Sequence, residues 1–288
     1  MTTTATSADA TAPGEVLLAV DGLRVAYPGR GLRRRPTEVL HGVDIALRPG
    51  ETLGLVGESG SGKSTLGRAI LGLAPVTAGT VAYRGRDITH APRAQRRELA
   101  REIQVVFQDP YGSLNPAHTI GRILEEPLTA VRAMTSTAAQ ARIAALLDRV
   151  ALPAGAVHRL PREFSGGQRQ RIAIARALAL DPRVIVCDEP VSALDLSTQA
   201  TILDLLTEIQ ETTGVAYLFI SHDLAVVRRL AHRVAVMYRG DIVETGTGDQ
   251  ITAHPEHPYT RKLLMASPVA HPARQAERRT ARAALAEG

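Results

Sequence analysis

The residues Gly57-Glu58-Ser59-Gly60-Ser61-Gly62-Lys63-Ser64 put glycines, a lysine and hydroxyls at a spacing suited to holding phosphate. Glycines let backbone N–H groups turn inward around phosphate oxygens. Lys63 supplies a positive charge, Ser64 a hydroxyl for a divalent cation, and Gly57, Ser59, Gly60, Gly62 and Thr65 the rest of a cradle. A second glycine-bearing run follows at Ser165-Gly166-Gly167-Gln168, where Ser165 is a good helix cap and two glycines expose backbone N–H groups. The apolar run Val184-Ile185-Val186-Cys187 then ends in Asp188-Glu189. Two carboxylates at the end of a buried strand suit a cation and a water to be activated. Two phosphate grips and a carboxylate pair imply a nucleotide held between two surfaces.

These residues need elements to position them. Residues 53–56 form a short buried strand feeding the glycine loop, and 65–73 a helix leaving it. Residues 16–52 alternate short apolar runs with Gly, Pro and charge, as strands of a small antiparallel sheet do. Residues 79–88, with a turn at Arg84-Gly85, predict a hairpin returning to that sheet. Residues 103–107 and 215–220 are further buried strands, and 233–238 and 241–244 read as edge strands. Between them, Ile143, Leu146, Leu147 and Val150 mark one face of a helix, and Ile202, Leu205, Leu206 and Ile209 mark another. The expectation is an α/β fold: a mostly parallel sheet, an antiparallel β subdomain, and an inserted α-helical subdomain at about 109–170. Residues 1–14 read as a disordered leader, 15–252 as the nucleotide-binding domain, and 253–288, rich in proline and arginine, as a C-terminal appendage.

Composition narrows the function classes. The chain has 288 residues, 44% of them hydrophobic, which suffices for a large core. Aromatics are 3% with no Trp, so stacking on nucleic-acid bases is a poor fit. The net charge of +5 gathers at Arg33-Arg34-Arg35 and at Arg274, Arg278, Arg279 and Arg282, without a recognition element beside either cluster, so no nucleic-acid partner is expected. A single cysteine, Cys187, rules out an internal disulfide and an iron–sulfur cluster held by four cysteines of this chain. No apolar run approaches the ~20 residues a membrane-spanning helix needs.

Together these motifs resemble the nucleotide-binding subunit of an ABC transporter, with a P-loop NTPase fold and a RecA-like sheet. In that resemblance the loop 57–64 is the Walker A motif, Phe164-Ser165-Gly166-Gly167-Gln168 the signature, and 184–189 the Walker B motif. The signature begins with Phe164 where most of the family has Leu. The resemblance implies ATP and Mg²⁺ as ligands. It makes Glu189, His222 and Gln108 catalytic, with Ser64, Gln108 and Asp188 at the metal. It also places Tyr27 on adenine, and gives Asp195, within Ser192-Ala193-Leu194-Asp195, a place at the nucleotide.

A finer resemblance, carried also by Phe107-Gln108-Asp109-Pro110-Tyr111 and His257-Pro258-Tyr259-Thr260-Arg261, is to the oligopeptide, dipeptide and nickel importer ATPases of the second, F-type kind. It implies a heterodimer with a D-type ATPase subunit, or a self-dimer, two transmembrane permease subunits, and an extracellular or periplasmic solute-binding protein. The protein would then sit peripherally on the cytoplasmic face of the cell membrane. The loop through Tyr111 and Asn115 would pass motion to the permease. Import of di- or oligopeptides is the leading expectation. Nickel or metallophore import follows it, and then an exporter ATPase or a non-transport ATPase. A chromosome-maintenance ATPase would need a long coiled coil between the two Walker motifs, and none is present.

Overall fold

The strands β3 (Thr52–Val56), β7 (Val184–Asp188) and β8 (Ala216–Ser221) are buried at every position. Strands covered on both faces carry such unbroken apolar runs. The protein is described here from a computed structural model covering residues 15–29, 35–109, 112–132 and 134–266. With β6 (Ile103–Val106), β9 (Arg233–Tyr238) and β10 (Asp241–Thr247), these strands form a six-stranded sheet in the order β10-β9-β3-β8-β7-β6. All neighbours are parallel except β10, which turns back on β9. The strand at 233–238 is therefore not at an edge, as its charged and polar ends suggest. Val234, Ala235, Val236 and Met237 are all buried, and β3 and β10 take one side each.

The second sheet is antiparallel: β1 (Leu18–Tyr27), β2 (Thr37–Leu47), β4 (Val76–Tyr83) and β5 (Arg86–Asp87), in the order β2-β1-β4-β5. The hairpin between β4 and β5 turns on Arg84 and Gly85, both at positive φ (49° and 72°), the backbone that a tight two-residue turn requires.

Helix α1 (Lys63–Ile70) lies between the two sheets, touching β1 and β2 on one side and β7 and β8 on the other. Alternation along the strands divides the core. Val56, Ile185, Cys187 and Phe219 face one cluster, whereas Leu55, Val186 and Ile220 join α1 and the antiparallel sheet in another. Helix α2 (Arg93–Glu102) packs on β6; its scarcity of apolar residues left it without a periodic signature.

The helical insertion contains α3 (Ile120–Ala130) and α4 (Ser136–Arg149), joined through Ile123, Leu124, Leu128, Ile143, Leu146 and Leu147. Helix α5 (Gly166–Leu178) ties that insertion to the sheet, touching α3, α4 and β6. Then come α6 (Leu196–Thr213), α7 (Leu224–Leu230), α8 (Gly248–Ala253) and α9 (Pro258–Ala266).

The expected appendage does not stand apart over its described part. Tyr259 and Leu263 of α9 belong to the main core cluster. Residues 1–14, Arg33, Arg34, Tyr111, and the arginines at 274, 278, 279 and 282 lie outside the described residues.

Candidate functional site

Parallel strands bring their ends together. Val56 pairs with Ser221, and Asp188 with Ile220, so the residues just beyond β3, β7 and β8 meet at one edge of the sheet. These are the glycine loop, Glu189 and His222.

The loop can be followed atom by atom. A Cβ on Gly57 would lie 2.2 Å from the Met237 carbonyl oxygen, so no larger residue fits there. Gly62 has φ 112° and is the N-cap of α1, with no side chain capping the helix. The first N–H groups of α1 thus keep their capacity for an anion. The loop is also braced from the far end of the chain: the Gly240 N–H donates to the Ser61 carbonyl at 2.8 Å. Glu58, Ser59 and Gly60 form an exposed crest, and Ser64 and Thr65 are half-buried behind it.

Lys63 is buried, and its ammonium donates to the Gly57 carbonyl at 2.8 Å and the Glu58 carbonyl at 2.9 Å. Burial lowers its pKa, against the nearby charges of Glu189, Asp188 and Glu58. The Ser64 hydroxyl donates to Asp188 Oδ1 at 2.8 Å. Burial raises the Asp188 pKa, and that hydroxyl bond opposes the rise. A hydroxyl and a carboxylate side by side are hard oxygen donors of the kind Mg²⁺ takes. On this donor set the residues fit the ion.

Glu189 has φ 49°, a left-handed backbone unusual for glutamate. Its N–H is held by the Ile220 carbonyl at 3.0 Å, and its own carbonyl accepts the Ser192 hydroxyl at 3.0 Å. The carboxylate is thereby aimed. Its Oε2 lies 3.0 Å from His222 Nδ1 and 3.4 Å from the Gln108 amide nitrogen. Residues far apart in sequence, Gln108, Glu189 and His222, so converge on one oxygen beside the Ser64–Asp188 pair.

The other named residues lie elsewhere. Tyr27, at the end of β1, pairs with Thr37 and packs on the core of the antiparallel sheet. That sheet reaches the loop through β2, where Leu40 and Val39 would meet a Cβ on Gly62. Ser165 caps α5: its hydroxyl accepts the Gln168 N–H at 3.3 Å, and Gln168 Oε1 accepts the Ser165 N–H at 3.0 Å. A Cβ on Gly167 would lie 2.4 Å from Thr198 Cγ2, so this glycine serves close packing against α6. Gly166 sits beside Leu194. Asp195 caps α6, accepting the Thr198 N–H at 2.9 Å and the hydroxyls of Ser197 and Thr198 at 2.6 and 2.7 Å. Those hydrogen bonds, led by Ser197, hold its carboxyl well below the usual carboxylate range. Next to it, Leu196 is 83% exposed, the most exposed of the large hydrophobic side chains described.

Of the braces on the loop, Met237, Gly240 and Tyr259, the first two carried no motif, and Tyr259 was marked only by the motif 257–261, which does not point to the loop. They reach it through tertiary pairing across more than 170 residues. The turn at Arg239-Gly240, where both residues take positive φ, was the one local cue.

Comparison with known proteins agrees in kind. Residues 40–192 match the family described as ABC transporter. The chain is 51% identical over 275 residues, 94% of its length, to the glutathione import ATP-binding protein GsiA of Salmonella typhimurium strain LT2, covering 44% of that protein. It is 52% identical over 270 residues, 92% of its length, to GsiA of Escherichia coli strain K12, covering 43% of that protein. The chain thus spans less than half the length of these curated relatives. Among solved structures, CbiO1 of Clostridium perfringens, part of the ABC transporter complex CbiONQ, superposes with a TM-score of 0.74. It is 25% identical, over 83% of this chain and 92% of that one. The ATP-binding cassette MJ0796, in a dimeric post-hydrolysis state with ADP and Pi, gives 0.72 at 29% identity, over 80% and 98%.

Proposed function

The chain belongs to the ABC transporter family, and from that premise we propose that it hydrolyses ATP to drive import of a peptide-type solute. The observation that carries the reading is the convergence of His222 and Gln108 on Glu189, next to Ser64 and Asp188.

ATP lies with its phosphates on the loop 57–65, its adenine against Tyr27. Lys63 now holds two neutral carbonyls, weaker partners than phosphate oxygens, so it exchanges them for phosphate when nucleotide enters. Ser64, Asp188 and Gln108 would hold Mg²⁺, which would neutralise charge on the phosphates. Glu189 accepts the proton of the attacking water. His222 and Gln108 keep that carboxylate aimed, and His222 also senses the terminal phosphate.

The signature serves a second subunit. Helices α1 and α5 differ in their packing neighbours, α1 touching β1, β2, β7 and β8 and α5 touching the helical insertion, α6 and the outer strand β6. Ser165, Gly166, Gly167 and Gln168 then cap the nucleotide of a partner ATPase subunit, with Asp195 and the exposed Leu196 in the same contact. The partner is a D-type subunit or a second copy. Two permease subunits in the membrane and an external solute-binding protein complete the importer, with this chain on the cytoplasmic face. No described helix is long and apolar enough to cross a membrane. The similarity to glutathione import proteins favours a small peptide as cargo.

Glu189→Gln tests the chemistry. It keeps shape and hydrogen bonding and removes the base. ATP turnover falls by roughly 10²–10⁴-fold, while equilibrium ATP binding persists. Turnover at the wild-type rate would exclude Glu189 as the base.

A further inference from the structure

The segment His257-Pro258-Tyr259-Thr260-Arg261 has no part in the chemistry above, yet every contact around it is specific. Glu244 accepts the N–H groups of Glu256 and His257 at 2.8 and 3.1 Å. His257 Nδ1 accepts the Tyr259 N–H at 3.2 Å, which makes the histidine ring the cap of α9. Pro258 occupies the first helical position, where its missing N–H costs nothing. Arg261 Nε donates to the Pro255 carbonyl at 3.0 Å. All of this fixes one side chain.

That side chain is Tyr259, 6% exposed. Its ring meets that of Tyr238, with centroids 4.2 Å apart and planes inclined by 35°. Its hydroxyl accepts the Glu58 N–H at 2.8 Å, inside the phosphate loop. The carbonyl of the same Glu58 accepts the Lys63 ammonium at 2.9 Å. A continuous path therefore runs from the capped start of α9, through the phenol, to the Glu58 residue and on to Lys63.

We propose that Tyr259 is a positioning residue of the phosphate loop, holding Glu58 so that the cradle keeps its shape before nucleotide arrives. The crest Glu58-Ser59-Gly60 is exposed, and besides Lys63 its Glu58 carbonyl accepts the Ser61 N–H at 3.2 Å. Gly60, at φ 83°, leaves that backbone free to adopt other shapes. A loop ordered in advance binds with less loss of conformational entropy. Because the phenol reaches the loop from α9, any movement of α9 alters the ATP site without touching the nucleotide. The inference rests on the ATP-binding role proposed above.

Tyr259→Phe removes the hydroxyl and keeps the ring on Tyr238. In the full chain, equilibrium titration with a fluorescent ATP analogue should show the dissociation constant rising about three- to tenfold, the range expected for one lost hydrogen bond. The thermal midpoint without nucleotide should stay within about a degree or two of wild type. Tyr259→Ala, which also loses the ring contact, should lower that midpoint clearly and serves as the control for a merely structural role. Unchanged affinity in Tyr259→Phe overturns the proposal. So does a loss of affinity in Tyr259→Phe accompanied by the same drop in midpoint as Tyr259→Ala. Failure of the wild-type chain to bind the analogue would instead overturn the ATP-binding role itself.

Discussion

The starts of α1 and α5 both carry glycine, and they are built differently. At α1 the N-cap is Gly62, in a left-handed backbone, and no side chain closes the helix end. At α5 the N-cap is Ser165, and a reciprocal pair of hydrogen bonds with Gln168 closes it. The first end leaves its dipole and N–H groups for a ligand, with Lys63 and Asp188 within reach. At the second, the Ser165 and Gln168 N–H groups are satisfied within the chain, and Gly167 is small because Thr198 is in the way. A helix start rich in glycine is therefore not one device. The α1 end is incomplete without an anion. The α5 end is held in shape by Ser165 and Gln168 before any partner meets it.

The sharpest way to break this contrast is Lys63→Ala. It removes the charge from the open end, and ATP affinity should drop by about 10- to 100-fold, the scale of one or two charge-assisted hydrogen bonds. Affinity equal to wild type, measured by calorimetric titration, would mean that α1 is not the anion site. Ser165→Ala is the matching change at the closed end. It should cost about 1 kcal/mol in chemical denaturation, as loss of a cap does. The rise in melting temperature that ATP induces in the isolated chain should survive, because the proposed role of this cap is at a partner's nucleotide and not at the chain's own loop. Loss of that rise would place both helix ends in one site.

A smaller effect sharpens the picture at the carboxylate beside the open end. Burial raises the Asp188 pKa above its ordinary 3.8. A carboxyl raised in this way favours the fold only while protonated, below its unfolded value, and the benefit is lost as pH rises through the folded value. Ionised Asp188 thus weakens the nucleotide-free fold at neutral pH. Asp188→Asn should raise the melting temperature of the nucleotide-free chain there, and the gain should fade as pH falls below the carboxylate range. A gain independent of pH would exclude ionisation of Asp188 as its source.

Local patterns made much of this legible. The unbroken apolar runs of β3, β7 and β8, the turn at Arg84-Gly85, and the helical spacing of Ile143, Leu146 and Leu147 each act over a few residues. The loop 57–64 and the pair Asp188-Glu189 were legible for the same reason. Helix α2 was not, because only Ala94, Leu99 and Ala100 in it are apolar. The interior place of β9 was not either, because it depends on pairing with β3, which lies far away in sequence. The motif His257-Pro258-Tyr259-Thr260-Arg261 was legible as a resemblance, but nothing near Tyr259 in sequence points to Glu58.

The sequence by itself determined which groups are available: a glycine loop ending in Lys63 and Ser64, a strand ending in two carboxylates, and a serine placed to cap a glycine-bearing helix. Those are properties of adjacent residues, set by backbone freedom and short-range hydrogen bonding. Only the tertiary structure decided which of them share a site. The parallel register of β3, β8 and β7 sets Ser64 against Asp188 and His222 against Glu189, and the return of α9 brings Tyr259 to the loop. The physical reason is that hydrogen bonds reach about 3 Å, while the partners lie up to 201 residues apart along the chain. Only the burial of a common core can bring them together.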